Sequence, residues 1–508
     1  MSNLLKTGMH DKLKSRELIF TVLFILIYLA LAVKVFDWII DDLYIYFRYV
    51  DNFTKGNGIV FNTGERVEGF SSFSWFLILS LIKSAGLPLE MTSKLAGIMF
   101  AFAGAACLYF ICKGSGLSKY YLPALCLMVF NLPFILWSVS GFEIMMFIFL
   151  LLMSFLMIIR ITSDSGFSAF LVSLIFLISV SRPEGVIFSA GMLCFIYIFS
   201  MNRKLLLKYA AVYGLLFISF LTFRFVYFGD LLPNTYYAKI GHNIVGYYEF
   251  RTYKNGIFYF LYFLRYNPQF ILFFLLLPLV FRKLISNKIF LFAAAMFLLQ
   301  FIFIVFSGGD WMVQYRFAVV SVPFLSVCTV FCLRELISSD KIKLSLSYTL
   351  VSVVFITSAL SIIFADRTII KKEIVLWNNL KKESAEIKKD IPPGSLVANG
   401  SSGIIPYYLD DVKFIDIVGI TNRHIARDGY RHGTWFERSL PDYVYSLDPE
   451  WIIMWKKKNS DGIYTFQDAS PCYIDMAVNE NFSKYSFYKD YDLYSDVKIE
   501  LYKRKEAE

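Results

Sequence analysis

Long apolar stretches broken by short polar turns fill the first 365 residues. One run, from Leu18 to about Phe36, follows Lys6, Lys12, Lys14 and Arg16. Ten further runs lie at about 92–112, 119–139, 143–159, 166–181, 185–200, 208–228, 256–280, 289–306, 315–333 and 344–364. A bilayer core takes roughly 17–25 predominantly apolar residues per helix. The pattern therefore predicts a polytopic α-helical membrane domain of about 11 spans over residues 1–365. Ala30 and Ala32 give a faint signal-peptidase pattern, but the run leads straight into more apolar sequence. An uncleaved first span with its N-terminus inside is expected. Phe73–Ile82 is apolar but short, ending at Lys83 and Pro88, and is expected to lie in the interface without crossing.

That short segment decides the sides. If it does not cross, the loops 113–119, 160–166, 201–208, 282–288 and 334–343, with Lys113, Lys119, Arg160, Arg203, Lys204, Lys208, Arg282, Lys283, Lys288, Arg334, Lys341 and Lys343, all fall inside. If it crosses, every one of them breaks the positive-inside rule. The first arrangement is expected. It sends 41–91, the turns 140–143 and 181–184, the loop 229–255, the turn 307–314 and the tail 366–508 outside.

Beyond residue 365 the pattern changes. A charged linker from Asp366 to Asp390 leads through Pro392-Pro393-Gly394 into the strand-like Ser395-Leu-Val-Ala-Asn399. Short apolar segments at 400–409, 413–418 and 451–455 follow, then a Tyr-rich alternation near 485–502. A small soluble α/β domain over the outer face is predicted for 366–508. Composition supports the division. The chain is 57% hydrophobic and 18% charged, against about 25% charged for a soluble domain. Residues 1–365 hold 29 Lys+Arg and 17 Asp+Glu; residues 366–508 hold 21 and 23. A soluble enzyme, a disordered tail and a coiled coil are excluded. The net +10 sits between apolar spans, where it reads as topology and not as a nucleic-acid surface. Only Cys472 lies in the tail, so that domain has no internal disulfide.

The outer segments carry the unusual polar residues. Asp41 and Asp42 are adjacent at the membrane face, so one of the two is expected to have a raised pKa. Such a base suits removal of a proton from a hydroxyl, although a solvated acidic helix end would look the same. Glu143 follows Trp137-Ser-Val-Ser-Gly-Phe142; Arg182-Pro-Glu184-Gly185 lies between two spans; Gly308-Gly-Asp310-Trp311-Met312 precedes Gln314-Tyr-Arg316. Ionisable residues at span ends are costly unless paired or facing a wet cavity. Acidic sites gathered on one side predict an outward-facing polar cavity. Lys239, with Arg182, Arg224 and Arg316, is a candidate set for a phosphate; a lipid-headgroup anchor is the alternative for Lys239. No GxxxxGK[ST], HExxH, CxxC or GxSxG motif occurs, so nucleotide hydrolysis and zinc chemistry have no support.

The stretch Asp41-Asp42-Leu-Tyr-Ile-Tyr-Phe-Arg48-Tyr49, followed by Gly56-Asn-Gly-Ile-Val-Phe-Asn62-Thr-Gly-Glu65-Arg-Val-Glu68-Gly-Phe70, resembles the first external loop of GT-C integral-membrane glycosyltransferases. The resemblance is nearest to the branch of the mycobacterial terminal β-(1→2) arabinofuranosyltransferase. Trp137–Glu143, Arg182–Gly185, Leu232-Pro-Asn234-Thr-Tyr-Tyr-Ala-Lys239, Gly308–Met312 and Asp416–Arg427 follow in the same order. The likeness implies an inverting transferase that takes a sugar from a polyprenyl-phosphate donor and passes it to a cell-envelope glycan or glycolipid on the outer face of the inner membrane. Asp41 would be the base that deprotonates the acceptor hydroxyl, with Asp42 supporting it or the acceptor. Glu143, Glu184 and Asp310 would line the acceptor or donor sugar site, and Arg182, Lys239 and Arg316 would hold the carrier phosphate. Arg48, Glu68, Asn234 and Trp311, within the motifs, are further substrate-binding candidates, as is His432 for the acceptor. Some relatives use a divalent cation, which an Asp-Asp pair could hold weakly with waters. A flippase of lipid-linked sugars and a protein O-glycosyltransferase remain alternatives.

Overall fold

The computed structural model describes residues 22–240, 247–339, 367–431, 437–466 and 469–506. The basic N-terminal segment, the run 344–364 and His432 lie outside the described residues. Sixteen helices form the described membrane part: α1 (Val22–Lys34), α2 (Leu43–Thr54), α3 (Phe73–Ser84), α4 (Leu89–Gly114), α5 (Tyr121–Val129), α6 (Leu132–Val139), α7 (Ile144–Ile158), α8 (Ala169–Ser181), α9 (Gly185–Ser200), α10 (Arg203–Phe228), α11 (Asn234–Ile240), α12 (Tyr247–Tyr266), α13 (Ile271–Leu284), α14 (Lys288–Ser307), α15 (Arg316–Val319) and α16 (Val322–Ser338).

Among the described residues, α4, α10 and α14 are each long and apolar enough to cross a membrane alone. Two expected spans are not single rods. The run 119–139 bends by 67° between α5 and α6. There Asn131 caps α6 by accepting from the Phe134 N–H at 2.9 Å and donates to the Met128 carbonyl at 2.7 Å. The run 256–280 turns by 102°. Pro268 has no N–H to continue the ladder and disfavours helix at Asn267, so α12 ends and α13 starts afresh. α3 carries Trp75, Phe76 and Leu79 inward and leaves Leu77 and Leu81 exposed.

The helices share a polarity of ends. α7 and α9 begin, and α8, α10 and α14 finish, at turns that pack together. Trp75 Nε1 donates to the Gly141 carbonyl at 3.0 Å, Trp137 Nε1 to that of Gln314 at 2.8 Å, and the Ser74 and Ser181 hydroxyls are 2.7 Å apart. Their other ends are the basic loops, where Lys288 Nζ donates to the Ile198 carbonyl at 2.8 Å.

The C-terminal part begins with α17 (Arg367–Asp390). Its strands are β1 (Leu396–Asn399), β2 (Lys413–Asp416), β3 (Tyr430–Arg431), β4 (Arg438–Ser439), β5 (Trp451–Lys458), β6 (Tyr464–Thr465), β7 (Tyr485–Tyr494) and β8 (Val497–Arg504), with α18 (Ile404–Tyr408) between β1 and β2. One mixed sheet runs β2-β1-β5-β8-β7, with β6 on β5. β1 is parallel to β2 and β5, and β8 is antiparallel to β5 and β7.

This sheet is locked onto the segment 41–72. Buried Arg48 donates from Nε to the Phe61 carbonyl at 2.9 Å, from Nη2 to that of Val412 at 2.8 Å and from Nη1 to those of Leu409 at 3.2 Å and Pro406. Asn62 exchanges two hydrogen bonds with the Phe414 backbone at 2.8 and 3.0 Å. Arg48→Met keeps much of the volume but strands those carbonyls, each costing about 1–3 kcal/mol when buried without a donor. The expected result is loss of about 3 kcal/mol or more, read as a lower Tm in detergent with the tail cleaved first in limited proteolysis.

Candidate active site

α2 separates the two aspartates. A helix turns about 100° per residue, so positions three, four and seven apart share a face. Asp41, Tyr44 and Arg48 form one such set and all turn to the C-terminal domain: Tyr44 packs on Tyr407 at 5.2 Å between ring centroids. Asp42, Ile45 and Tyr46 form the adjacent set and line a cavity of about 320 Å³.

Asp41 is buried against the loop after β1. Its carboxylate accepts from the Ser401 hydroxyl at 3.0 Å, the Gly403 N–H at 3.1 Å and the Ile404 N–H at 2.7 Å. The approach requires glycine, because a Cβ at 403 would sit 1.9 Å from the Asp41 carbonyl oxygen. Burial pushes the Asp41 carboxyl up to about 7, opposed by those hydrogen bonds and reinforced by the Asp42 charge. Asp41 does not line the cavity. Asp42 does, and burial raises its pKa while the Lys239 and Arg316 charges oppose the rise.

The cavity's charged wall is sorted into pairs. Arg182, at the turn between α8 and α9, donates from Nη1 to Glu143 Oε1 at 2.5 Å and from Nε to Glu184 Oε1 at 2.6 Å. Glu143 and Glu184 stand directly before α7 and α9, where the helix dipole favours negative charge. Arg316 grips Asp310 at 2.7 and 3.1 Å, on a turn whose Gly309 has φ +87° and would meet the Tyr259 ring with any Cβ. Arg224 holds Glu68 at 2.8 and 3.1 Å. Two lining groups remain. Among the described residues neither Asp42 nor Lys239 has an ion-pair partner, and burial lowers the Lys239 pKa against the pull of Asp42.

The residues singled out in the sequence divide between this cavity and the seam with the C-terminal domain. Asp42, Glu143, Arg182, Glu184, Lys239, Asp310, Trp311 and Arg316 line it. Asp41 and Arg48 instead fasten the C-terminal domain. Asn234, expected as a ligand, donates to the Gly419 and Ile420 carbonyls at 2.9 and 2.8 Å and is a tie between α11 and that domain. Glu68 stands behind Arg224. Arg182, expected on a phosphate, is already spent on two carboxylates. Tyr46, Ser71, Tyr236 and Ile420 line the cavity unannounced; the i, i+4 step from Asp42 would have found Tyr46. Asp41 and Asp42, the pair that could have shared a divalent cation, face different ways: Asp41 is engaged by the loop after β1 and Asp42 lines the cavity. Among the described residues no three His, Cys, Asp or Glu groups could hold a metal ion.

The remaining wall is apolar: Val180 of α8, Val186 of α9, Phe217, Phe220 and Leu221 of α10, and Phe303 of α14, with Trp311 half-exposed at the rim. The whole arrangement matches a known architecture. ArnT from Cupriavidus metallidurans, in its apo crystal structure, matches with a TM-score of 0.58 at 13% identity, over 95% of this chain and 97% of that one. The fold is that of ArnT. The crystal structure of ArnT bound to undecaprenyl phosphate matches with a TM-score of 0.53 at 11% identity, over 95% and 98% of the two chains. This ArnT-like fold is a polytopic helical membrane fold. In sequence, the terminal β-(1→2)-arabinofuranosyltransferase of Mycobacterium tuberculosis is 31% identical over 223 residues, 40% of this chain and 35% of that protein. Together these bear out the GT-C resemblance read from the motifs. A domain of unknown function, DUF8728, matches residues 372–502, which begin within α17 and end within β8.

Proposed function

We propose that this chain is an inverting GT-C-type glycosyltransferase that moves a sugar from a polyprenyl-phosphate carrier to a hydroxyl of a cell-envelope glycan or glycolipid. It works on the outer face of the inner membrane, with about 11 spans, its N-terminus inside and residues 366–508 outside. The observation that carries this reading is that Asp42 and Lys239, which have no ion-pair partner among the described residues, face one cavity with an apolar wall at the helix ends. The apolar wall suits a prenyl chain. Lys239 suits its phosphate, and Asp42 suits the acceptor proton.

In the step, the acceptor oxygen attacks the anomeric carbon as its proton passes to Asp42. The bond from that carbon to the phosphate oxygen breaks on the opposite face, its electron pair staying with the phosphate that Lys239 neutralises. One displacement inverts the anomeric centre. A sugar phosphate is already activated, so positioning, one base and one cation suffice, and no step is routed through a metal. The ArnT structure with undecaprenyl phosphate and the arabinofuranosyltransferase match support the donor class; the acceptor follows from the motif resemblance.

The test is mass spectrometry of envelope glycans and lipid-linked sugars in a deletion strain, complemented or not. Restoration of one sugar residue by the intact chain, with polyprenyl-phosphate sugar building up on the outer face in its absence, is expected. Donor trapped on the inner face would overturn the transferase reading in favour of a flippase.

A further inference from the structure

Away from the cavity, separate segments of chain bring guanidinium groups together at the end of α10. Arg423 and Arg427 lie four apart on the short helix α19 (Arg423–Asp428) of the C-terminal domain, so they share a face. Arg423 Nη2 donates to the carbonyl of Phe228, the last residue of α10, and to that of Arg66 at 3.2 Å. Its Nε lies 3.2 Å from Asp230 Oδ2, and Arg427 Nη2 donates to Asp230 Oδ1. The Arg66 guanidinium rests on the Tyr227 ring at 4.7 Å and that of Arg427 on Tyr237 at 4.8 Å. Among the described residues, three guanidiniums thus share one carboxylate, Asp230. Other acids of these segments are matched elsewhere: Glu68 by Arg224, Glu65 by Lys413 at 2.6 Å, and Asp428 by the His424 imidazole at 2.8 Å. Exposed apolar side chains set the depth of this edge. Phe225 and Val226, 57% and 75% exposed, stand just before Phe228, and Leu231 and Leu232 are exposed just after it. At 1.5 Å per residue, Arg423 touches α10 within about 5 Å of its bare apolar surface. A membrane helix shows such side chains to lipid tails, and cations just beyond them stand at headgroup depth.

We propose that Arg66, Arg423 and Arg427 form a docking edge for the phosphate of acidic phospholipids in the surrounding leaflet, and that the bound headgroup helps to staple the C-terminal domain to the membrane part. Guanidinium forks suit phosphate oxygens, and the surplus of positive charge favours acidic over zwitterionic lipid. The staple follows from connectivity. Arg423 and Arg427 belong to the C-terminal domain, Arg66 to the segment 41–72, and Asp230 to the loop that leaves α10. A phosphate held on this edge adds an anionic bridge between the two parts beside the one that Asp230 makes. The inference does not depend on the transferase reading, because it concerns the protein's hold on its own bilayer.

The full chain would be placed in nanodiscs of phosphatidylcholine alone and of an equal mixture with phosphatidylglycerol. Native mass spectrometry would count the lipid retained, and limited proteolysis would read attachment of the C-terminal domain. The intact chain is expected to retain phosphatidylglycerol in preference and to lose its tail to protease more slowly when that lipid is present. Both advantages should shrink as salt is raised. Arg66→Gln and Arg427→Gln should each weaken phosphatidylglycerol retention about 5-fold. In pure phosphatidylcholine their tail cleavage should stay within about 2-fold of the parent, since a half-exposed ion pair contributes little. Arg423 is kept in these variants because it also ties the end of α10. Arg427→Lys should preserve most of the phosphatidylglycerol advantage. A parent cleaved alike in both discs would overturn the proposal, as would variants that respond to phosphatidylglycerol as fully as the parent. Variants weakened equally in both discs would make the arginines internal ties only and overturn it as well. Protection by farnesyl phosphate in phosphatidylcholine discs, with none from phosphatidylglycerol, would hand the edge to a prenyl phosphate and overturn the phospholipid assignment.

Discussion

Asp42→Asn is expected to stop sugar transfer while leaving donor binding and folding intact. General-base assistance contributes about 10²–10⁴-fold, and Asp42 is a carboxylate on the cavity wall with no ion-pair partner among the described residues. The amide keeps the shape and loses the basicity, so the loss should fall on kcat. Asp41→Asn should behave differently. Its carboxylate accepts from two backbone N–H groups and a hydroxyl of the C-terminal domain. An amide presents one oxygen where three donors converge, loosening that domain and lowering Tm. Single-turnover transfer beside thermal unfolding in detergent separates the two. Full transfer by Asp42→Asn, with loss confined to Asp41→Asn, would return the base role to Asp41.

The same pair gives opposite pH dependences. The Asp42 pKa is raised, so the base is ionised only above the ordinary carboxylate range, and transfer should fall as pH drops through that raised value. For Asp41 the folded pKa of about 7 exceeds the unfolded value. The folded state then binds the proton more tightly, and its stabilising share is complete below the unfolded pKa and lost as pH rises through 7. Turnover should therefore rise with pH while attachment of the C-terminal domain weakens with pH, and Asp41→Asn should flatten the second trend alone.

How far the sequence led depends on what each signal measures. Hydropathy sums register how much apolar chain is present, so α4, α10 and α14 were legible. They do not register direction, so the 102° turn at Asn267-Pro268 passed inside one apolar run although Pro268 announced it. Charges at span ends are expensive, which made Glu143, Arg182, Glu184 and Asp310 stand out. Their pairing is a property of three dimensions: Arg182 read as a free cation until two glutamates 39 positions behind and 2 ahead closed on it. Asp41 and Asp42 were legible as a pair but not as individuals. Their division needs the start of α2, after which the i, i+3, i+7 set through Arg48 and the i, i+4 set through Tyr46 could have been written from the sequence.

Lys239→Gln is the substitution expected to cost most in donor affinity. Arg182, Arg224 and Arg316 are each held by carboxylates at 2.5–2.8 Å, so among the described residues lining the cavity Lys239 is the cation that an arriving phosphate meets without an ion-pair partner. Removing one partner of a buried charge pair costs about 2–4 kcal/mol, or roughly 30- to 1000-fold in affinity. Farnesyl phosphate titrated onto the variant should weaken by that order, with or without a sugar attached. A second signature follows from the field inside the cavity. The Lys239 charge is the leading influence holding the Asp42 pKa down against burial. Glutamine in its place lets that pKa climb, so the acid limb of the residual transfer should move to higher pH. Lys239→Arg should restore most of the affinity and keep the limb near its original position. A variant that binds farnesyl phosphate normally and titrates unchanged would place the carrier phosphate elsewhere, with Arg316 released from Asp310 as the group to examine next.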